Sequence, residues 1–181
     1  MSPSPSNAAR RPVLPLVLAG VFIVALAAAT AYLGTKLDVI VRNAQGARGL
    51  HAPDLSPLAG QPFALQLHVA ASVAAIALGV VMLASRKGAR FHRVAGWTWA
   101  ATMATAAGSA AFVRGEDDAY SFIHLTVIWA AILLPLGLLA ARRHAVQLHR
   151  TLMLWLYFGI LVGAGALAFI PGRLMWEVVA G

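Results

Sequence analysis

The sequence predicts an all-α membrane protein with five transmembrane helices, the last four of which form a four-helix bundle from two parallel helical-hairpin repeats. Three observations lead to this fold class. Hydrophobic residues fill 60% of the 181 positions and charged residues only 11%, whereas a soluble domain has about a quarter of its residues charged. The apolar residues concentrate in windows of about 20 residues, the length that crosses a bilayer as a helix. Histidines recur at matching positions in the later windows.

The apolar windows define the organisation of the chain. They cover residues 13–33, 62–85, 95–113, 120–140 and 151–170. Each must be helical, because lipid offers no partners to unpaired backbone groups. We therefore expect four segments, namely a disordered tail at 1–11, a transmembrane anchor at 12–34, an outer loop at 35–61 and a four-helix membrane domain at 62–176.

The first window has a second interpretation. Arg10 and Arg11 precede it, and Ala29-Thr30-Ala31 offers a cleavage site, as in a secretory signal peptide. An apolar stretch of 21 residues is long for a signal peptide, so a retained anchor is favoured. The loop that follows is rich in turn residues and leaves room for a short surface helix.

Charge asymmetry predicts the orientation. With the N-terminus inside, nine basic residues fall in inner segments and five in outer ones, and all six acidic residues fall outside. The positive-inside rule then predicts a bacterial inner-membrane protein with a cytoplasmic N-terminus and a periplasmic C-terminus. The net charge of +8 follows from these helix-end residues, and no basic groove interleaved with aromatic residues indicates a nucleic-acid partner.

The histidines form two matched pairs. His68 and His124 lie near the outer ends of the second and fourth windows, at similar predicted depth. His92 and His149 immediately precede the third and fifth windows, at the inner boundary. The separations within the two copies are 24 residues (68 to 92) and 25 residues (124 to 149), which indicates a duplicated helical hairpin.

Paired imidazoles on different helices are the ligand set of a bis-histidine haem. The sequence therefore predicts one or two b-type haems, held by His68 with His124 and by His92 with His149. Small residues on the face below His68 would leave room for the macrocycle; they are Ala71, Ser72, Ala75 and Gly79. Arginines at the helix ends would hold the anionic propionates. These are Arg90, Arg93 and Arg150 at the inner face and Arg173 at the outer end.

Several motifs carry a resemblance to known families. They are the turn Arg86-Lys87-Gly88, the runs beginning His92-Arg93 and His149-Arg150, and the terminal Pro171-Gly172-Arg173. Over residues 62–176 the chain resembles a bacterial family of predicted multi-pass membrane proteins, a domain of unknown function, which implies the architecture but no activity. The layout is also similar to that of diheme b-type cytochromes, in which alternate helices hold each haem. The chain lacks a recognisable flavin or nicotinamide domain and places its inner pair at the very edge of the membrane.

Three functions are compatible with these features. The first is a haem electron carrier between an inner donor or the quinone pool and an outer acceptor. The second is a non-redox membrane protein, a small transporter or an assembly subunit acting within an oligomer, that uses His68 and His124 as an intramembrane polar pair. The third, a bare metal site, is disfavoured because two imidazoles without carboxylate or thiolate partners hold a metal poorly. No hydrolase or phosphate-loop motif is present, so enzyme status stays open.

Overall fold

The computed structural model describes residues 13–47, 49–113 and 123–180. This part of the chain is helical and contains no strand. It divides into two units, residues 1–35 and residues 36–181. The predicted tail at 1–11 and the acidic segment at 116–118 lie outside the described residues.

The helices are divided between the two units. The first unit holds α1 (Val13–Thr35). The second unit holds, in chain order, α2 (Leu37–Gln45), α3 (Ser56–Ala59), α4 (Phe63–Ala84), α5 (Arg90–Ala110), α6 (Ile123–Arg142), α7 (Val146–Leu154), a π-helical segment (Trp155–Val162), α8 (Gly163–Leu167) and α9 (Leu174–Ala180). The helix that contains the last apolar window thus begins five residues before that window and changes from α-helical to π-helical winding along its length. Helix α9 was not predicted.

The long helices of the second unit pack as two hairpins. Helix α4 packs along α5, and α6 packs along α7. Helix α5 also packs on α6, and the π-helical segment contacts both α4 and α6, so each long helix has two neighbours. Each hairpin turn contains a residue with a left-handed backbone, Gly88 (φ 79°) in the first and His144 (φ 56°) in the second. Histidine is one of the few residues besides glycine that adopt this conformation readily.

Among the described residues, three helices are long and apolar enough to cross a membrane. They are Phe63–Ala84, His124–Arg142 and Val146–Leu167. Helix α5 is more polar because its first turn carries Arg90, His92 and Arg93. The protein is therefore a membrane protein with apolar helices, and the count of five spans stays a prediction.

Aromatic side chains fill the face of α4 that carries small residues. Ala71, Ala75 and Gly79 are buried there. The indole of Trp99 donates a hydrogen bond to the backbone oxygen of Ala75 at 3.0 Å. The ring of Tyr157 lies against Gly79 so closely that a Cβ there would overlap it. The small residues thus let two aromatic rings approach the α4 backbone.

A cap of residues 37–59 and 171–180 covers the end of the bundle where α4 begins. The backbone N–H groups of His51 and Asp54 donate to the carbonyls of Val179 (3.0 Å) and Val178 (2.8 Å). Val178 is buried within this cap. The short surface helix that the turn-rich loop allowed is present as α2 and is followed by α3.

Candidate functional site

His68 is bonded to the neighbouring helix of its own hairpin. It lies half-buried in the second turn of α4, and its Nδ1 is 2.8 Å from the backbone oxygen of Ala106 on α5. Since a carbonyl oxygen can only accept, Nδ1 donates and carries the proton. The lone pair of the neutral ring is then on Nε2.

His124 has the opposite arrangement. Its Nε2 is 2.9 Å from the backbone oxygen of Val113, just beyond the end of α5. Nε2 therefore donates, and the lone pair of the neutral ring falls on Nδ1. The oxygen that accepts from His68 belongs to Ala106 within α5, whereas the oxygen that accepts from His124 belongs to Val113, beyond the last residue of α5. The similar depth of the two imidazoles stays a prediction.

His92 is bonded to the end of α4. Its Nδ1 is 3.2 Å from the hydroxyl oxygen of Ser85. That hydroxyl donates its single hydrogen to the backbone oxygen of Met82 at 3.0 Å. Its oxygen is therefore the acceptor towards His92, so Nδ1 of His92 carries the proton and Nε2 the lone pair.

The surroundings of His92 favour its neutral form. Partial burial is the main cause that lowers the pKa of His92 from 6.5, followed by the positive charge of Lys87 and by the proximity of His149. Lys87 is fixed in place because its Nζ donates to the carbonyls of Met82 and Leu83, both at 2.8 Å. A neutral imidazole is the form that binds a metal.

His149 matches His92. It is half-buried in the first turns of α7, and its Nδ1 donates to the backbone oxygen of Gly137 on α6 at 2.9 Å. The charge of His149 is also the smallest of the three causes that lower the pKa of His92. His92 and His149 thus both hold the proton on Nδ1, bonded to a protein oxygen, and the lone pair on Nε2.

This donor set fits the chemistry of a bis-histidine iron site at the inner pair. Histidines that bind metals almost always donate their other ring N–H to a protein oxygen, which fixes the tautomer and the ring orientation. Both inner rings meet that condition in the same way. Each outer ring also donates one N–H to a backbone oxygen, but His68 donates from Nδ1 and His124 from Nε2, so the outer pair does not share a tautomer.

The room expected for a macrocycle below His68 is filled. Trp99 is bonded to Ala75, and the hydroxyl of Tyr157 donates to the backbone oxygen of Ile76 at 3.2 Å. In the second helical hairpin, Gly137 on α6 corresponds to Gly79 on α4, and the end of the Met153 side chain covers it. The small face therefore serves helix packing at these positions.

The four arginines predicted to hold propionates lie in different settings. Arg93 donates from Nη1 to the backbone oxygen of Gly88 at 3.0 Å, next to His92 in sequence. Arg90 and Arg150 are exposed at the same end of the bundle. Arg173 is half-buried in the cap, at the opposite end from the inner histidines.

Sequence reasoning missed the partners that orient the inner rings. Ser85 precedes His92 by seven residues across the hairpin turn, a spacing from which their contact could have been predicted. Gly137 contributes only its backbone oxygen, so the residue type at that position does not indicate a partner for His149. Within the described residues, no group of three or more histidine, cysteine or carboxylate side chains gathers into a metal cluster.

The chain matches a known protein family. The model of a family described as predicted membrane proteins, DUF2306, matches residues 65–180. This range begins within α4 and ends at the last residue of α9. No curated protein and no solved structure matches the chain.

Proposed function

The chain belongs to the DUF2306 family of predicted membrane proteins, and we propose that it is a b-type haem electron carrier with His92 and His149 as the iron ligands. Its helices have a lipid bilayer as their solvent. The observation that carries the proposal is the common state of these rings. Each donates from Nδ1 to a protein oxygen and each keeps its lone pair on Nε2.

The residues around the pair have defined roles in this proposal. Ser85 and the carbonyl of Gly137 hold the two imidazoles in the tautomer that binds iron, and such outer partners also tune the metal. Arg93 and Arg150, each next to a ligand in sequence, would pair with the propionates. Bound haem would supply one-electron redox chemistry.

The wider arrangement follows from the charge pattern. We infer five spans in a bacterial inner membrane, with the N-terminus cytoplasmic and the C-terminus periplasmic. The inner pair would then receive electrons near the cytoplasmic leaflet from a quinone or a redox protein. We count one haem per chain in this proposal, because the inner rings share a tautomer whereas His68 donates from Nδ1 and His124 from Nε2.

The outer histidines favour a second candidate function. His68 and His124 each hold a helix against the C-terminal end of α5 through a backbone oxygen. Interhelical bonds of this kind contribute about 1 kcal/mol in membranes. In this alternative the protein is a non-redox transporter or assembly subunit, and the hydrogen bonds of His68 and His124 hold its helices together.

The test is an absorption spectrum of the full chain purified from haem-replete cells. We expect a Soret band, an α-band on reduction with dithionite, and a pyridine haemochrome of the b type. His149→Ala should remove these bands, while His51→Ala, the same change at an exposed histidine of the cap, should keep them.

Two results would contradict the haem proposal. One is a colourless native protein whose circular dichroism shows intact helices. The other is a His149→Ala protein that keeps the full spectrum of the native chain. A colourless protein that loses stability on His68→Gln would instead support the second candidate.

A further inference from the structure

The two hairpin turns lie together at one end of the bundle. We call this the turn end; it comprises residues 85–89, residues 143–145 and the helix ends that flank them. Helices α4 to α7 run alternately up and down, so both turns fall at the same end. The contact of Arg142, the last residue of α6, with Trp97 on α5 agrees with this placement.

Arg142 and Trp97 form an exposed contact at the junction of the two hairpins. The guanidinium carbon of Arg142 lies 5.5 Å from the centre of the Trp97 ring. Trp97 is nevertheless 54% exposed, so its ring faces the surroundings of the bundle as well as the arginine. Such a stacked guanidinium keeps its N–H edge available for two parallel bonds to a phosphate.

An apolar stripe runs from this contact along the outer face of α5. Arg90, Val94 and Trp97 follow one another at helical spacings of four and three residues, so they lie on one face. Val94 is 60% exposed. From Arg90 to Trp97 the stripe is about 10 Å long at 1.5 Å per residue. This face of α5 therefore carries a cationic group at Arg90 and exposed apolar surface at Val94 and Trp97.

Acidic partners for these arginines are at the other end of the protein. Among the described residues, the acidic side chains are those of Asp38, Asp54 and Glu177, and all three belong to the cap. Arg90 and Arg142 thus present positive charge at the turn end without a carboxylate nearby in the described part of the chain. A group that satisfies both the charge and the apolar stripe is an anionic amphiphile.

We propose that Arg90, Arg142 and Trp97 form a binding site for an anionic phospholipid. The phosphodiester binds the guanidinium group of Arg142 and is attracted by the charge of Arg90, and an acyl chain lies along Val94 and Trp97. Basic residues near an anionic membrane surface each strengthen binding by about fivefold. The site is separate from the inner histidines and does not rest on the proposed haem.

The test uses quenching of tryptophan fluorescence by brominated lipids. The full chain is reconstituted into phosphatidylcholine vesicles that contain increasing fractions of dibrominated phosphatidylglycerol or, in parallel, of dibrominated phosphatidylcholine. Subtracting the signal of the Trp97→Phe protein isolates Trp97 from the other tryptophans. We expect the anionic lipid to quench Trp97 at a much lower mole fraction than the neutral lipid.

Arginine variants test the two cationic groups. Arg142→Gln should raise the fraction of phosphatidylglycerol needed for half-quenching about fivefold, and adding Arg90→Gln should raise it about fivefold again. Arg42→Gln, which makes the same charge change at an exposed arginine of the cap, at the other end of the bundle, should leave it nearly unchanged.

Three outcomes would overturn the lipid site. The first is equal quenching by the two lipids in the native chain, a comparison that needs no variant to fold. The second is a preference for phosphatidylglycerol that survives the double arginine change. The third is reversal of the quenching by inorganic phosphate, which would mark the arginines as a general anion site.

Discussion

Replacing Gly79 with alanine tests the packing at the centre of the bundle. The added Cβ would overlap the ring of Tyr157, which is buried and tied by its hydroxyl to Ile76. The ring cannot swing away without losing that bond, so we expect the cost of overpacking, about 1–3 kcal/mol. The higher helix propensity of alanine offsets up to about 1 kcal/mol of this cost. The net effect should be a loss of about 1–2 kcal/mol in the free energy of unfolding.

The assay is reversible unfolding in mixed detergent micelles, followed by circular dichroism. Gly108→Ala on α5 is the matched control, because a Cβ there meets nothing within 4 Å and should be neutral or slightly stabilising. In a Tyr157→Ala background the cost of Gly79→Ala should nearly vanish, since the clashing ring is gone. Equal stabilities of the Gly79→Ala and Gly108→Ala proteins would refute the packing described here.

Two further predictions concern pH and the cap. Because the folded state lowers the pKa of His92 below 6.5, the unfolded chain binds more protons just below that pH. In the haem-free protein, the contribution of His92 to stability is thus complete above about pH 6.5 and is lost as the pH falls towards the folded pKa. His92→Gln should flatten the unfolding profile of the haem-free protein in this window, and identical profiles would contradict it. Gly172→Ala should destabilise the protein by about 0.5 kcal/mol more than Gly49→Ala in thermal unfolding, since both glycines have positive φ but only a Cβ at Gly172 would displace the exposed side chain of Asn43. Equal losses would contradict that contact.

The long helices could be predicted because each is determined by the apolar residues of its own segment. A run without charged residues, such as that of α4, must form a helix in lipid, and its observed bounds differ from the predicted window by one residue at each end. Helix α9 was missed because it is only seven residues long and is stabilised by contacts with the distant residues 51 and 54. The π-helical winding of residues 155–162 also leaves no simple pattern in the sequence.

The candidate site could be predicted only in part, for a similar reason. Helical spacing locates His92 and His149 at the turn end, but it does not say which ring nitrogen each one offers. That depends on single atoms of Ser85 and Gly137. The small residues on one face of α4 are compatible with either space for a cofactor or close helix packing. The positions of Trp99 and Tyr157 against this face favour packing.

The most direct test of the central claim is the molar ratio of haem to protein in the native chain and in two variants. The inner-pair proposal predicts one haem per chain, a ratio that His68→Ala leaves unchanged and that His92→Ala reduces to background. A ratio of two, or a loss of haem from the His68→Ala protein alone, would contradict it.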